Sequence, residues 1–226
     1  MTSGLRVDLH VHSSCSPDGR SDVGRLVARL SELGLDGLAL TDHNTVAGHS
    51  ALADLARQHP GLRLIPGVEV STLEGHLLAY GLEEVPPAGR PVAEVVEWVV
   101  VHGGVPVLAH PFRRIHGVGE AIARSARVPA LEVVNGHNGP RANRRAGAIA
   151  VGRGIGRTGG SDAHDLRELG RAWTRFPAEA GTVDQLLEAL RRGATTAEGA
   201  SAGPLARAGT ALRSFGLRLG RGLRPI

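Results

Sequence analysis

The sequence predicts a single α/β barrel. Strand-like and helix-like stretches alternate roughly seven times along the chain. The apolar residues are mostly Val, Leu, Ala and Gly with only 3% aromatics, a composition that suits a buried parallel sheet. Residues of metal-binding type recur at the ends of the strands, which is where such a barrel builds its site. A length of 226 residues and 42% hydrophobic content support one domain with a sizeable core.

The first strand opens Asp8-Leu-His-Val-His12 and runs into a loop ending at Gly19. Alternate side chains of a strand share a face, so His10 and His12 point together on either side of Val11. The turn Ser16-Pro-Asp-Gly19 reverses the chain and swings the Asp18 carboxylate back towards them. Residues 21–33 place Val23, Leu26, Val27, Leu30 and Leu33 on one helical face, and Gly34 ends it. A short strand over 38–41 terminates in Asp42-His43-Asn44, and a helix over about 46–58 leads to the strand 62–65 and the segment 67–71. In that segment Glu69 faces away from Val68 and Val70. His76 opens a hairpin-like return over 76–81.

Residues 85–91, rich in Pro and Gly, read as a loop. A helix over about 92–102 stops at Gly103-Gly104, with His102 capping its end. The strand 105–109 delivers His110, and a helix over about 119–127 follows. The strand 130–134 ends in Asn135-Gly-His137, residues 141–151 are helical, and 155–158 leads into Gly159-Gly-Ser-Asp-Ala-His164. The last helix spans about 183–192, capped by Thr182, with Val183, Leu186, Leu187 and Leu190 on its apolar face.

Several function classes are disfavoured. No signal-like run follows Met1, and the longest apolar stretch, 95–101, is interrupted by Glu97, so neither export nor a membrane span is expected. The single cysteine, Cys15, excludes an internal disulfide and fits a reducing cytoplasm. All 26 basic residues are arginine, and all 22 acids precede residue 200. The last 27 residues hold five arginines and no acid, so the basic excess belongs to a tail rather than to a general nucleic-acid surface. The expected division is a domain over 1–200 and a basic tail over 201–226. That tail is expected to be partly disordered or packed on the body, or to be an arm touching RNA, DNA or anionic lipid.

The strand-end residues are His10, His12, Asp18, His43, Glu69, His76, His110, Asp162 and His164. Singly, each has an ordinary reading as a helix cap, a paired strand carboxylate or a surface histidine. Together, six imidazoles and three carboxylates suit borderline divalent ions such as manganese, iron or zinc. Such a cluster polarises phosphoryl or carbonyl oxygens and supplies a nucleophile from water. Beside it, Arg113 and Arg114 are candidates to hold a phosphate through paired N–H donors. Asn135 and His137 are candidates to touch a leaving group.

The motifs DLHVHSSCSPDG (8–19), TDHNT (41–45), PGVEVS (66–71), GHLLAYG (75–81), AHPFR (109–113), LEVVNG (131–136) and GSDAH (160–164) resemble, in the same order, those of the PHP family, the polymerase and histidinol phosphatase phosphoesterases. The resemblance implies a distorted seven-stranded β/α barrel with two or three divalent ions. By position, His10, His12, Glu69 and Asp162 would hold one ion and Glu69, His76 and His110 a second, with Glu69 bridging. Asp18, His43 and His164 would complete a third. Pro17 sets the loop of Asp18 apart from the family pattern. Only residues 77–109 separate His76 from His110, so the long helical insertion of larger relatives is expected to be missing. The expected function is a metal-dependent phosphoesterase acting on a small phosphorylated substrate or nucleotide, with Arg113, Asp162 and His164 in catalytic roles. An exonuclease and a non-catalytic metal-binding module are the alternatives.

Overall fold

The computed structural model describes residues 4–201 and 203. The basic tail, apart from its first residues, lies outside the described residues. The chain runs β1 (Arg6–Val11), α1 (Val23–Leu33), β2 (Gly37–Leu40), α2 (His49–Gln58), β3 (Arg63–Ser71), β4 (His76–Tyr80), α3 (Val92–Val101) and β5 (Val105–Leu108). It continues with α4 (Gly119–Ser125), β6 (Ala130–Asn135), α5 (Pro140–Arg153), β7 (Gly156–Gly160), β8 (Ala172–Arg175), α6 (Val183–Arg191) and β9 (Thr196–Gly199). The sheet order is β7-β6-β5-β4-β3-β2-β1-β8-β9.

The sheet forms the expected barrel, with nine strands rather than seven. β1, β2 and β3 pair in parallel, as do β5, β6 and β7, while β4 lies antiparallel between β3 and β5. The two extra strands, β8 and β9, add antiparallel ladders beyond β1. Each has only four residues, Ala-Trp-Thr-Arg and Thr-Ala-Glu-Gly, with no apolar alternation to mark it. Instead the pair is joined by Arg175 and Trp173, which both donate to the Glu198 carboxylate. The expected break between 62–65 and 67–71 does not exist, because β3 runs continuously through Pro66.

Closure happens between β7 and β1 without a regular ladder. The Asp162 N–H donates to the His10 carbonyl at 2.7 Å, and the His12 N–H to the Ala163 carbonyl at 2.9 Å. Below them the Asp8 carboxylate accepts from the Ser161 N–H at 2.8 Å and the Gly170 N–H at 3.0 Å. Thr174 of β8 exchanges hydrogen bonds with the backbone of Gly159, both at 2.9 Å. This seam needs glycine: a Cβ on Gly160 would sit 2.4 Å from the His10 Cβ.

The helices bury the faces their spacing predicts. α1 is capped by the Asp22 carboxylate on the Arg25 N–H, ends at left-handed Gly34, and buries Val23, Leu26, Val27 and Leu30 against Leu38 and Leu40. Full burial of each such leucine contributes about 1.5–3 kcal/mol. α6 has a capping box between Thr182 and Gln185 and packs Leu186, Leu187 and Leu190 with Val7, Ile65 and Val105.

Gly160→Ala is expected to destabilise the fold by about 1–3 kcal/mol, because the seam cannot give way to a methyl group. Gly152→Ala, on the exposed side of α5 with open space around it, is expected to stabilise by up to about 1 kcal/mol. Calorimetric unfolding of the two variants, giving melting temperatures displaced in opposite directions from wild type, checks both.

Candidate metal centre

Each strand end contributes a ligand for a backbone reason. The alternation of β1 sends His10 and His12 to one face, and Glu69 leaves β3 between Val68 and Val70, which stay in the core. Because β4 runs antiparallel, its first residue, His76, lies at the end where the parallel strands finish. His110 follows β5, and Asp162 and His164 follow β7. His110 and Asp162 hold backbone φ angles of 25° and 57°, a left-handed region that costs side-chain-bearing residues about 1–3 kcal/mol. All nine predicted ligands are buried, and the structure brings all nine together.

Glu69 is the hub. Its Oε2 lies 3.1 Å from His10 Nε2, 3.2 Å from His12 Nε2 and 3.3 Å from His43 Nδ1. Its Oε1 lies 2.8 Å from His76 Nδ1 and 2.9 Å from His110 Nε2. Asp162 Oδ1 faces the same Nε2 atoms of His10 and His12 at 3.5 and 3.3 Å. Asp18 closes the other side, with Oδ2 at 3.0 Å from His164 Nε2 and 3.7 Å from His43 Nε2. Four sets of converging donors result: His10, His12, Glu69 and Asp162; His43, Glu69 and His76; His12, Asp18, His43 and His164; and His137, His164 and Glu168. The second set holds His43 where the family resemblance gives His110, whose Nε2 also meets the shared carboxylate, 2.9 Å from Glu69 Oε1.

The donor chemistry fits divalent cations. His10 Nε2, His12 Nε2, His43 Nδ1 and His76 Nε2 are buried with no hydrogen-bond partner, although carboxylate oxygens stand 3.1–3.5 Å from the first three. Nitrogen lone pairs and carboxylates aimed at a common point, with no thiolate, form a site for borderline ions. Burial alone would raise the Glu69 carboxyl, but His10, His43 and His76 outweigh it and hold Glu69 well below the carboxylate range. Burial depresses His12, yet Asp162 and Glu69 outweigh it and lift that imidazole to about 10. His10 is raised in the same way, with Asp162, Glu69 and Glu132 overcoming its burial. Burial pushes His43 down to about 3. Protons on His10 and His12 therefore stand in for cationic charge when no ion is bound.

Behind the ligands lies an outer layer that sequence reasoning missed. Glu132 is buried and accepts from His10 Nδ1 at 3.0 Å, the His110 N–H at 2.7 Å and Asn135 Nδ2 at 3.0 Å. It orients two ligands at once. Its signal was present, an acid in the apolar strand Leu131-Glu-Val-Val, the same pattern that marked Glu69. Asp42 accepts from the Ser13 N–H and hydroxyl at 2.6 and 2.7 Å, fixing the loop after β1. Glu168 accepts from the His164 N–H at 3.1 Å and faces His137 Nε2 at 3.3 Å.

The four candidate substrate residues separate. Arg113 donates to the Asp162 carboxylate and, at 2.8 Å, to Asn135 Oδ1, so its guanidinium is committed to the cluster. Asn135 also donates to Asp162 at 3.1 Å. His137 borders the cluster, with Nδ1 4.0 Å from Asp162 Oδ2. Arg114 stands apart and exposed. His102 caps α3 as expected, its Nδ1 2.7 Å from the Trp98 carbonyl.

A β/α barrel with a many-centred nitrogen and oxygen cluster at its strand ends defines a class of metal-site proteins, and comparison with known proteins narrows it. Residues 8–99 match the PHP domain and residues 140–195 the PHP-associated region. The chain belongs to the PHP family. Its fold resembles that of PsfC from Pseudomonas syringae, with a TM-score of 0.73 and 19% identity, over 96% of this chain and 100% of that one. Phosphoribosyl 1,2-cyclic phosphate 1,2-diphosphodiesterase of Eggerthella lenta is 36% identical over 87 residues, 36% of this chain and 32% of that protein. The 5'-3' exoribonuclease Rnm of Salmonella typhimurium is 39% identical over 88 residues, 37% of this chain and 30% of that protein. The matched part thus spans about a third of the length of each curated relative.

Two outcomes follow for the site. Glu132→Gln should weaken metal binding by about 10- to 100-fold, the usual effect of losing a partner behind a histidine ligand, and a chelator competition measures it. Because His10 and His12 carry protons in the metal-free protein and must shed them to bind, loading should release protons and affinity should rise with pH. Titration calorimetry in two buffers of different ionisation enthalpy reads the release directly.

Proposed function

We propose that this protein hydrolyses phosphate esters with two to three divalent ions, manganese, zinc or iron, held at the strand ends. The single observation that carries the reading is the Glu69 carboxylate within 3.3 Å of nitrogens from five histidines. His10, His12, Glu69 and Asp162 would hold the first ion; Glu69, His76 and His110, with His43 beside them, the second; Asp18, His43 and His164 the third. Bound there, the ions would supply Lewis acidity towards phosphoryl oxygens and a nucleophile drawn from water.

The chain's own residues do the rest. Glu69 and Asp162, kept ionised by their neighbours, set the negative charge that retains cations. Arg113 locks Asp162 in place and turns a half-buried cationic edge towards an incoming phosphate, which stabilises charge building on its oxygens. Asn135 steadies both Arg113 and Asp162. His137, adjoining Asp162 and Glu168, lies where a leaving group would emerge. Substrate is a small phosphorylated compound or nucleotide. An exonuclease is the second reading, supported by the likeness to an exoribonuclease and by the single helix, α3, that lies between β4 and β5 where a lid would stand. A non-catalytic module is disfavoured by the presence of all nine donors.

The reading extends to a domain over 1–200 and a basic arm over 201–226 whose charge suits nucleic acid. It places the protein in the cytoplasm, in keeping with the lone unpaired Cys15; among the described residues no helix is long and apolar enough to cross a membrane.

Metal-loaded protein given a panel of phosphoesters tests the function. Phosphate released from small monoesters is the expected result, mononucleotides released from oligomers would select the nuclease, and turnover of neither at full metal loading would overturn both. On the accepted substrate, Arg113→Ala at saturating metal should lower kcat/KM by roughly ten- to a few-hundred-fold, with lysine restoring only part.

A further inference from the structure

A cleft of about 720 Å³ opens beside the metal centre, between the loop after β5 and the start of α5. Phe112, Arg113, Arg114 and Ile115 line one wall, and Arg141 and Arg145 line the other. The cleft adjoins the cluster through two residues already described, Arg113 on Asp162 and His137 beside it. No aspartate or glutamate lines it.

Four guanidinium groups around one cleft repel one another unless something neutralises them. Two are neutralised within the chain. Arg113 is paired with Asp162. Arg145 is paired with Glu120 at 2.5 Å and lies over the Phe112 ring, 4.3 Å from its centroid. Arg114 and Arg141 have no acidic partner among the described residues, and both are exposed. Both line a cleft whose remaining lining is largely apolar, including Ile115 at 65% exposure. The first-turn N–H groups of α5 add to the same field, since its N-cap Gly139 offers no side-chain cap. Planar N–H forks without a protein partner match the oxygens of a carboxylate or phosphate.

We propose that the ester's leaving group is itself an anion, bearing a carboxylate or a second phosphate that Arg114 and Arg141 hold while its body rests on Phe112 and Ile115. The inference rests on the phosphoesterase reading and specifies its substrate class. Monoesters of neutral alcohols would be hydrolysed, but without the binding energy of the cleft.

The test uses full-length, metal-loaded protein and three probes: phenyl phosphate, 3-carboxyphenyl phosphate and benzene-1,3-diyl bisphosphate. For each probe kcat/KM of wild type is divided by that of the variant, which cancels differences in leaving-group chemistry. Arg141→Ala should lower kcat/KM for the two anionic probes at least about tenfold more than for phenyl phosphate, the scale of a lost charged hydrogen bond. Arg141→Lys should recover part of the loss. Whichever anionic probe suffers more tells carboxylate from phosphate. Arg144→Ala removes the same charge from the same helix outside this cleft and should affect all three probes equally. Equal losses on all three probes with Arg141→Ala, or no loss, would overturn the proposal. Absence of turnover by wild type on every probe would instead count against the phosphoesterase reading. Calorimetric binding of the three probes to metal-free protein then decides the cleft: anionic probes binding no more weakly to Arg141→Ala than to wild type would overturn it.

Discussion

A buried carboxylate surrounded by imidazoles governs this structure. Glu69 is removed from water, which by itself costs several kcal/mol for an ion, and five histidines from four segments offset it. The five arrive from β1, the loop after β2, the start of β4 and the loop after β5, so the demands of one side chain fix where four segments end. Asp162 enters by the same logic, with Arg113 as its cationic partner. The centre is thus held by paired charges as well as by hydrogen bonds.

The reversed strand β4 makes the arrangement reachable. A parallel neighbour in its place would need a crossover of a dozen or more residues, whereas the turn between β3 and β4 spans only residues 72–75. His76 is delivered directly opposite Ser71, seven residues after Glu69, and bonds to it. The loop after β5 and the start of α5 line a cleft of their own beside Asp162 and His137.

Much of the site was legible because its logic is local. Period-two alternation marked His10 with His12 and turned Glu69 away from its valines. Asp18, in a loop with an unexpected Pro17, still reached His164 because its turn is closed by hydrogen bonds from Gly19 to Ser16 and from Arg20 to His164. What could not be read depends on contacts across the chain. Glu132 shows its pattern but not its purpose, which lies in the far nitrogen of His10, 122 residues away. Arg113 read as a phosphate clamp, and its pairing with Asp162, 49 residues away, carried no signal in the sequence. β8 and β9 escaped notice because a Glu198 carboxylate, rather than apolar periodicity, holds them together. Arg141 carried no motif at all, and it matters only because α5 begins opposite residues 112–115.

The seam between β7 and β1 has a consequence of its own. The bonds that shut the barrel there, Asp162 N–H to the His10 carbonyl and His12 N–H to the Ala163 carbonyl, belong, Ala163 apart, to the main chain of residues whose side chains form the candidate metal cluster. Every amino acid but proline carries the N–H these bonds need, although the left-handed φ of Asp162 favours glycine, asparagine or aspartate there, so architecture and reactivity are largely inherited separately. A descendant of this chain could exchange the histidines or the aspartate, abandon its chemistry or acquire a different one, and still close the same barrel around whatever it then carried.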